Sequence, residues 1–314
     1  MAVQTGEVET ALRPQARPRV SSKRWRWLVP YLFLLPYLLA MFFFSVGPGL
    51  YALIISFADF SQGMPRYFAA GVSNYVTAYG DFRFVEVFRN VGLFLLISVP
   101  LGIVLVLLLS LLLHIRRGRL AAGLRTIYFI PGAVTGPALV LLAIFMFDPN
   151  ISPFRGLMSA LGYQSINDVI VPSTLPWLFT LVGFFSGAGV WIAIFYGAYE
   201  SLSLEVMEAA TIDGCNAWQQ AWHIKIPLIR PYIMYMLILV LAGNVQLFAE
   251  PQLLGVAGGN VPNPWSPNQL GYYFAFKLGN FGAAAAVSLI MLLIGVIAAY
   301  AVVQWTSIFK PEAN

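Results

Sequence analysis

Asn244, Gln246, Glu250 and Gln252 interrupt an otherwise apolar run from Pro231 to Leu253, and Phe248 lies among them. Polar groups inside such a run are costly. A charge near the centre of a membrane helix costs about 2.5–3.5 kcal/mol on insertion scales. On one continuous helix Asn244 and Phe248 are i, i+4 and share a face, and Gln246 and Glu250 share another, turned by about 200°. A neutral amide beside an aromatic ring suits a sugar, whose hydroxyls need hydrogen bonds and whose C–H faces stack. Asn244 and Phe248 are therefore candidate pathway residues, with helix–helix packing as the alternative. Gln246 and Glu250 join the candidate set on the second face, although Glu250 lies near the outer end, where it can simply reach water. Trp191, at the centre of another apolar run, is placed either to stack on a sugar or to fill space. Gly183, Gly187 and Gly189 precede it as a small-residue stripe suited to close helix approach.

Other chemistries find little support. A phosphate-binding loop needs Gly-x-x-x-x-Gly-Lys-Ser/Thr. The lysines are Lys23, Lys225, Lys277 and Lys310, and none precedes Ser or Thr. No Gly-x-Ser-x-Gly elbow or His-Glu-x-x-His pair occurs. Asp148 and Asp168 are weak candidates for a membrane enzyme with loop carboxylates. His114 and His223 are too few and too far apart to suggest a metal site. Cys215 is the single cysteine, so no intrachain disulfide forms.

Residues able to act on a solute must be held by elements, and these are apolar spans. The chain has 314 residues, 59% hydrophobic and 10% charged, against about 25% charged in an ordinary soluble domain. Its mean hydropathy is +0.77. Six apolar runs exceed the roughly 20 residues that cross a bilayer core: about Trp27–Phe57, Val87–Leu113, Leu124–Phe147, Trp177–Tyr199, Pro231–Leu253 and Ala283–Phe309. Pro36, Pro48, Pro100, Pro131 and Pro137 fall within them and read mostly as simple kinks. Residues 1–26 read as a disordered basic tail, and 27–310 as one transmembrane domain. With both termini cytoplasmic, thirteen of the eighteen Lys and Arg residues lie inside: the tail, Arg116, Arg117, Arg119, Arg125, Lys225, Arg230 and Lys310. Arg66, Arg83, Arg89, Arg155 and Lys277 lie outside. Segments 58–86, 148–176 and 254–282 then form external loops that either cap the bundle passively or touch an external partner. The dispersed bases are no nucleic-acid footprint.

One polar segment, Glu200 to Pro231, is too long for a plain hairpin. Ser203 can cap a short helix with Glu205 in its first turn. Asp213-Gly214 reads as its end. A second helix follows with an apolar stripe of Trp218, Ala221, Trp222 and Ile226, stopped by Pro227. The predicted helix pair either docks in a partner's groove or rests on lipid headgroups.

The same residues carry a family resemblance. Glu208-Ala209-Ala210, Asp213-Gly214, Ile224, Ile226-Pro227 and Pro231 resemble the "EAA" signature of ABC importer permeases, with Cys215 where Ala is usual. Residues 244–287 are similar to the stretch that follows in carbohydrate-type permeases, with Leu254-Gly255-Val256-Ala257-Gly258-Gly259-Asn260 a looser form of the family's segment. The resemblance covers roughly residues 30–310. It implies an all-α ABC type I importer permease fold of about six spans in a bacterial inner membrane, similar to the F-type subunit of maltose transporters. It implies that Glu208, Ala209, Ala210, Asp213, Gly214, Trp218, Ile226 and Pro227 form the coupling loop, 200–231, docked on an ATPase. The implied partners are a second homologous permease, two ATPase subunits that bind ATP and magnesium in this chain's stead, an extracytoplasmic solute-binding protein or lipoprotein, and membrane lipid. The implied solute is a sugar, oligosaccharide, polyol or glycerol-phosphate derivative. An ion-gradient-driven transporter or channel is the alternative; it predicts paired intramembrane acids or bases, and the spans show few.

Overall fold

The computed structural model describes residues 23–60, 63–115, 118–134 and 136–306. Residues 1–22, Arg116, Arg117 and the end of the last predicted span, with Lys310, lie outside the described residues. Two units divide the chain, Met1–Tyr51 and Ala52–Asn314.

In the first unit α1 (Lys23–Met41) begins inside the segment read as tail and carries Pro30 and Pro36. A π turn at Phe42–Val46 leads into α2 (Gly47–Ile55). The wide turn has a cause. Pro48 has no N–H and its ring would strike the carbonyl of a regular preceding turn. The Gly47 N–H reaches back to the Phe42 carbonyl, and a Cβ on Gly47 would lie 2.8 Å from that oxygen.

The second unit continues with α3 (Ser73–Gly80), α4 (Phe84–Ile115), α5 (Arg119–Phe129), α6 (Gly136–Phe147), the short α7 (Arg155–Ala160) and α8 (Ile166–Val169), and α9 (Leu175–Glu200). Then come α10 (Leu204–Ile212), α11 (Ala217–Gln220), α12 (Ile226–Leu228), α13 (Arg230–Val245), α14 (Ala249–Val256), α15 (Pro267–Tyr272) and α16 (Phe281–Thr306). Among the described residues, four helical stretches are long and apolar enough to cross a membrane: Val29–Ile55, Phe84–Ile115, Leu175–Glu200 and Phe281–Gln304. Two bent helix pairs, Arg119–Ala133 with Gly136–Phe147 and Ala217–Leu228 with Arg230–Val245, pass the same test of length and composition only when each is taken together. Outward side chains such as Leu96, Val104 and Ile297 are exposed, as expected of a surface solvated by lipid.

Two predicted spans are corrected. The third is no simple kink. It breaks at Ile130–Ala133, a 3-10 turn around Pro131, and α6 leaves at 107° to the segment before it. The fifth does not run from Pro231 to Leu253. α13 ends at Val245, and Gln246–Phe248 separate it from α14. Its 16 residues span only about 24 Å, less than a hydrocarbon core. The physical reason is Pro251. On a continued helix its ring would strike the Leu247 carbonyl, so the chain restarts and places Pro251 in the first turn of α14, where no N–H is missed. Pro100, by contrast, sits inside an unbroken α4.

The core is layered along α4 and α9, which pack along much of their length. One packed cluster joins Val106, Leu111, Ile192, Phe195, Ile233 and Met236. A second joins Phe94, Val140, Leu175, Phe179, Leu254 and Trp265. A third packs α3 and the start of α4 against α15 and α16. Glycine permits one close crossing. A Cβ on Gly189 would collide with the Tyr128 backbone, and one on Gly132 would come 2.8 Å from the Ser186 carbonyl oxygen. α9 is thus seated directly on the break in the third span.

Candidate functional site: an interior cavity and a terminal helix pair

The first two core clusters do not meet completely. Between them lies a cavity of about 250 Å³, walled by α4, α9 and α13, with Ser98, Thr180, Ser186, Gly187, Trp191 and Asn244 among its lining. Gly183 and Gly187 open this space, since a Cβ on either would meet nothing within 4 Å. Of the small-residue stripe, only Gly189 makes the close approach.

Asn244 has two contacts of note. It lines the cavity, and its Nδ2 donates to Ser98 Oγ at 3.1 Å, joining α13 to α4. Trp191 also lines the cavity while packing edge-on against Tyr235 at 5.8 Å between ring centroids. Phe248 is not brought to Asn244. The break after Val245 ends the helical phase that placed them together, and Phe248 packs on Tyr272 at 5.6 Å. Gln246 donates to the Ala242 carbonyl at 3.0 Å and its own carbonyl accepts from Asn268 Nδ2 at 2.8 Å. Glu250 stands in the first turn of α14, a favourable place for an acid. Phe248, Gln246 and Glu250 are outside this cavity.

Ser98, Thr180 and Ser186 were missed. Each is a hydroxyl within an apolar run, and that was the available signal. Thr180 and Ser186 return their protons to the carbonyls of Pro176 and Gly183, so they occupy membrane helices at little cost. The cavity therefore offers hydroxyls, one amide and four aromatic rings, with no ionised group among its lining.

At one end of the bundle the Glu200–Pro231 segment forms the helix pair. Ser203 is the N-cap residue of α10, but its side chain makes no capping bond. α10 ends in a Schellman arrangement: the Gly214 N–H donates to the Thr211 carbonyl, the Cys215 N–H to the Ala210 carbonyl, and Gly214 has φ +84°. Asn216 then opens α11 with a reciprocal capping box to Gln219. Gln220 Nε2 ties the helices together through Thr211 Oγ1 at 3.0 Å. Ala210 is buried, whereas Leu204, Glu205, Glu208, Ala209 and Ile212 fall on the opposite, exposed face.

The predicted stripe and stop on the second helix are both corrected. Residues 221–225 form a π turn, with the Ile226 N–H bonded to the Ala221 carbonyl. The wider turn shifts the phase. Ala221 and Ile226 turn into the protein, while Trp218 and Trp222 remain 51% and 62% exposed. It also admits Pro227, as before Pro48, so the helix continues to Leu228 and the chain bends by 66° into α13.

The root of this pair is fixed to the bundle. His114 packs against Tyr196 and Tyr199 at 5.6 and 5.4 Å, and its Nδ1 lies 3.6 Å from Glu200 Oε1. Arg125 stacks over Tyr196 at 3.8 Å. The two loop carboxylates weighed for catalysis each accept backbone bonds from near neighbours. Asp148 accepts from the Asn150 backbone N–H at 2.9 Å, and Asp168 from those of Gln164 and Ser165. These last two bonds hold the Asp168 carboxyl below its usual range.

Comparison with known proteins follows the same lines. Residues 26–306 match the family described as binding-protein-dependent transport system inner membrane component. The osmoprotective compounds uptake permease protein GgtC of Synechocystis sp. is 28% identical over 285 residues, covering 84% of this chain and 93% of that one. The arabinooligosaccharides transport system permease protein AraP of Bacillus subtilis is 25% identical over 292 residues, covering 90% of each. Among solved structures, a chain of a bacterial alginate ABC transporter in complex with an alginate pentasaccharide-bound periplasmic protein has a TM-score of 0.74 at 17% identity. The match covers 90% of this chain and 96% of that one. The chain is a multi-pass transport subunit of the plasma membrane, and it belongs to the binding-protein-dependent transport system inner membrane component family.

Proposed function

We propose that this chain is one of two homologous permease subunits of an ATP-driven importer for a neutral carbohydrate or related polyhydroxy solute. The carrying observation is the interior cavity at Ser98, Trp191 and Asn244. Hydroxyl and amide groups match sugar hydroxyls, the indole offers a stacking face, and the relative named for arabinooligosaccharide transport points to the same solute class.

In this reading residues 27–310 are the transmembrane domain and 200–231 the coupling segment, facing the cytoplasm. Glu208, Ala209, Ile212, Trp218 and Trp222 present an exposed surface to an ATPase subunit. Asp213 and Gly214 set the angle between the two helices, and the π turn carries Ile226 and Pro227 toward α13. Movement of the seated pair is passed to α13 across the bend at Ile229, and so to Asn244. Two ATPase subunits bind ATP and magnesium. An extracytoplasmic binding protein delivers the solute at the opposite end.

The test uses the assembled transporter. Asn244→Ala is expected to lower uptake while the ATPase still copurifies. Gly214→Val is expected to release the ATPase or uncouple hydrolysis from uptake. Purification of the chain with no ATPase attached, or normal uptake in both variants, overturns the reading. Uptake that survives ATP depletion and stops with an uncoupler would favour an ion-gradient mechanism.

A further inference from the structure

A second cavity lies in line with the first. It measures about 250 Å³ and opens where the start of α4, the start of α9 and the segment before α15 converge, among Glu86, Arg89, Asn90, Ser173, Pro176 and Trp265. The two cavities follow the same pair of helices. On α4, residues 86, 89, 90 and 93 line the outer one, and 94, 98, 102 and 106 the inner one. On α9, Pro176 belongs to the outer, and Phe179, Gly183, Gly187 and Trp191 to the inner.

Three rings in edge-to-face contact stand between them. Trp265 meets Phe179 edge-on at 4.8 Å, and Phe179 meets Phe94 edge-on at 6.2 Å. Trp265 is 1% exposed and both phenylalanines 2%. Trp265 forms the floor of the outer cleft, and Phe94 and Phe179 the near wall of the inner cavity.

The outer cleft sets a few hydrogen-bonding groups among mostly apolar surface. Its floor is fixed: the Trp265 backbone N–H donates to Gln269 Oε1 at 2.7 Å, and Gln269 Nε2 donates to Gln252 Oε1 at 3.0 Å. Asn90 Nδ2 donates to the Trp265 carbonyl at 3.3 Å, which leaves Asn90 Oδ1 as an acceptor. The Glu86 and Arg89 side chains are exposed, and among the described residues neither has a hydrogen-bond or ion-pair partner in the protein. The cleft therefore holds a planar donor in Arg89, acceptors in Glu86 and Asn90, and a hydroxyl in Ser173. Pro172, Pro176 and Pro262 supply C–H surface. One Glu beside one Arg favours a neutral ligand over an anion. The volume lies just below the roughly 300–1,000 Å³ of drug-sized pockets, which suits a single sugar ring.

We propose that this outer cleft is a separate receiving site for one neutral saccharide ring, divided from the inner cavity by the Trp265–Phe179–Phe94 rings. The proposal rests on the carbohydrate reading of the inner cavity and adds a first stop before it.

The experiment places a reporter cysteine at the cleft in the complete transporter, in membranes, without the binding protein. Leu93→Cys adds a thiol to the lining and keeps Glu86, Arg89, Asn90 and Ser173; Pro262→Cys serves where Leu93→Cys reacts poorly. A charged, membrane-impermeant thiol reagent is applied from outside, and labelling of the parent chain at Cys215 is subtracted. Free maltotriose, arabinotriose or lactose is expected to slow labelling, by about threefold at a free concentration twice Kd, and glycerol 3-phosphate to leave it unchanged. Arg89→Ala or Glu86→Gln is expected to remove the protection, and Asn244→Ala to retain it. No protection by any of the three sugars overturns the proposal, as does protection that survives both outer substitutions or vanishes with Asn244→Ala. Protection by the binding protein alone also overturns it and makes the cleft a docking face. Loss of uptake in Asn244→Ala without protection at Leu93→Cys removes the outer site and leaves the proposed function standing.

Discussion

The terminal helix pair and the interior cavity are assembled in opposite ways. The pair is held by bonds between near neighbours in sequence: Cys215 to Ala210, Gln219 to Asn216, Gln220 to Thr211. The cavity is held by distant residues. Asn244 bonds Ser98 across 146 positions, and Gly189 of α9 seats on the Tyr128 backbone. A segment whose geometry is local can keep its shape while it shifts as a body against a partner. A cavity between three spans changes whenever those spans shift. The first arrangement suits a part that receives movement, and the second a part that responds to it.

The largest effect that would sharpen this contrast comes from two glycines on α9. Gly189→Leu has no room, because even a Cβ there collides with the Tyr128 backbone. Overpacking costs about 1–3 kcal/mol and occasionally more, and a large fall in the yield of folded protein and in its thermal stability in detergent is expected. Gly187→Ala, two residues earlier, meets nothing within 4 Å yet narrows the cavity. It is expected to leave thermal stability nearly unchanged and to lower uptake. Equal behaviour of the two variants in both assays would break the assignment of one to packing and the other to the cavity.

Smaller effects belong to the helix pair. Gly214 has φ +84°, and a side chain in the left-handed region costs about 1–2 kcal/mol. Asn216→Ala removes a capping box and costs about 1 kcal/mol. Because these geometries are local, both variants are expected to fold with the cavity intact and to bind the ATPase more weakly, Gly214→Val more so than Asn216→Ala. Copurification of the ATPase, measured beside the thermal transition of the permease, separates this outcome from general unfolding. A global loss of stability in Asn216→Ala would show that the pair is not an independent local structure.

The same contrast decides what was legible in the sequence. The end of α10 at Asp213-Gly214 was readable because one glycine determines it. The spans at α4, α9 and α16 were readable because length and hydropathy determine them. The phase of α11 and α12 was not, because a 3.6-residue period assumes no π turn, and Pro227 was read as a stop when a wider turn accommodates it. The pairing of Asn244 with Phe248 failed for a related reason: Pro251 marked the break, but an unbroken span was assumed. Ser98 could not be assigned as Asn244's partner, since nothing local relates residues on different spans.

The smallest predicted effect lies at the far end of the second unit, where local and distant bonds meet in one cluster. Asp81 receives the Arg83 guanidinium at 2.7 and 2.8 Å, and Arg83 also lies over the Tyr273 ring at 3.9 Å. The Arg83 side chain holds the Asp81 carboxyl below its usual range, and the pair raises the guanidinium. A carboxyl with a depressed folded pKa stabilises the protein fully above its unfolded value, near 3.9. It loses that contribution as pH falls through the folded value. Asp81→Asn is therefore expected to lower the thermal transition at neutral pH, and the gap from the parent protein is expected to close as pH drops below about 4. A gap independent of pH would mean that Asp81 acts through shape rather than charge. It would then belong with Gly189, among residues whose role is fixed by packing, and not with charges that can be switched off while the fold remains.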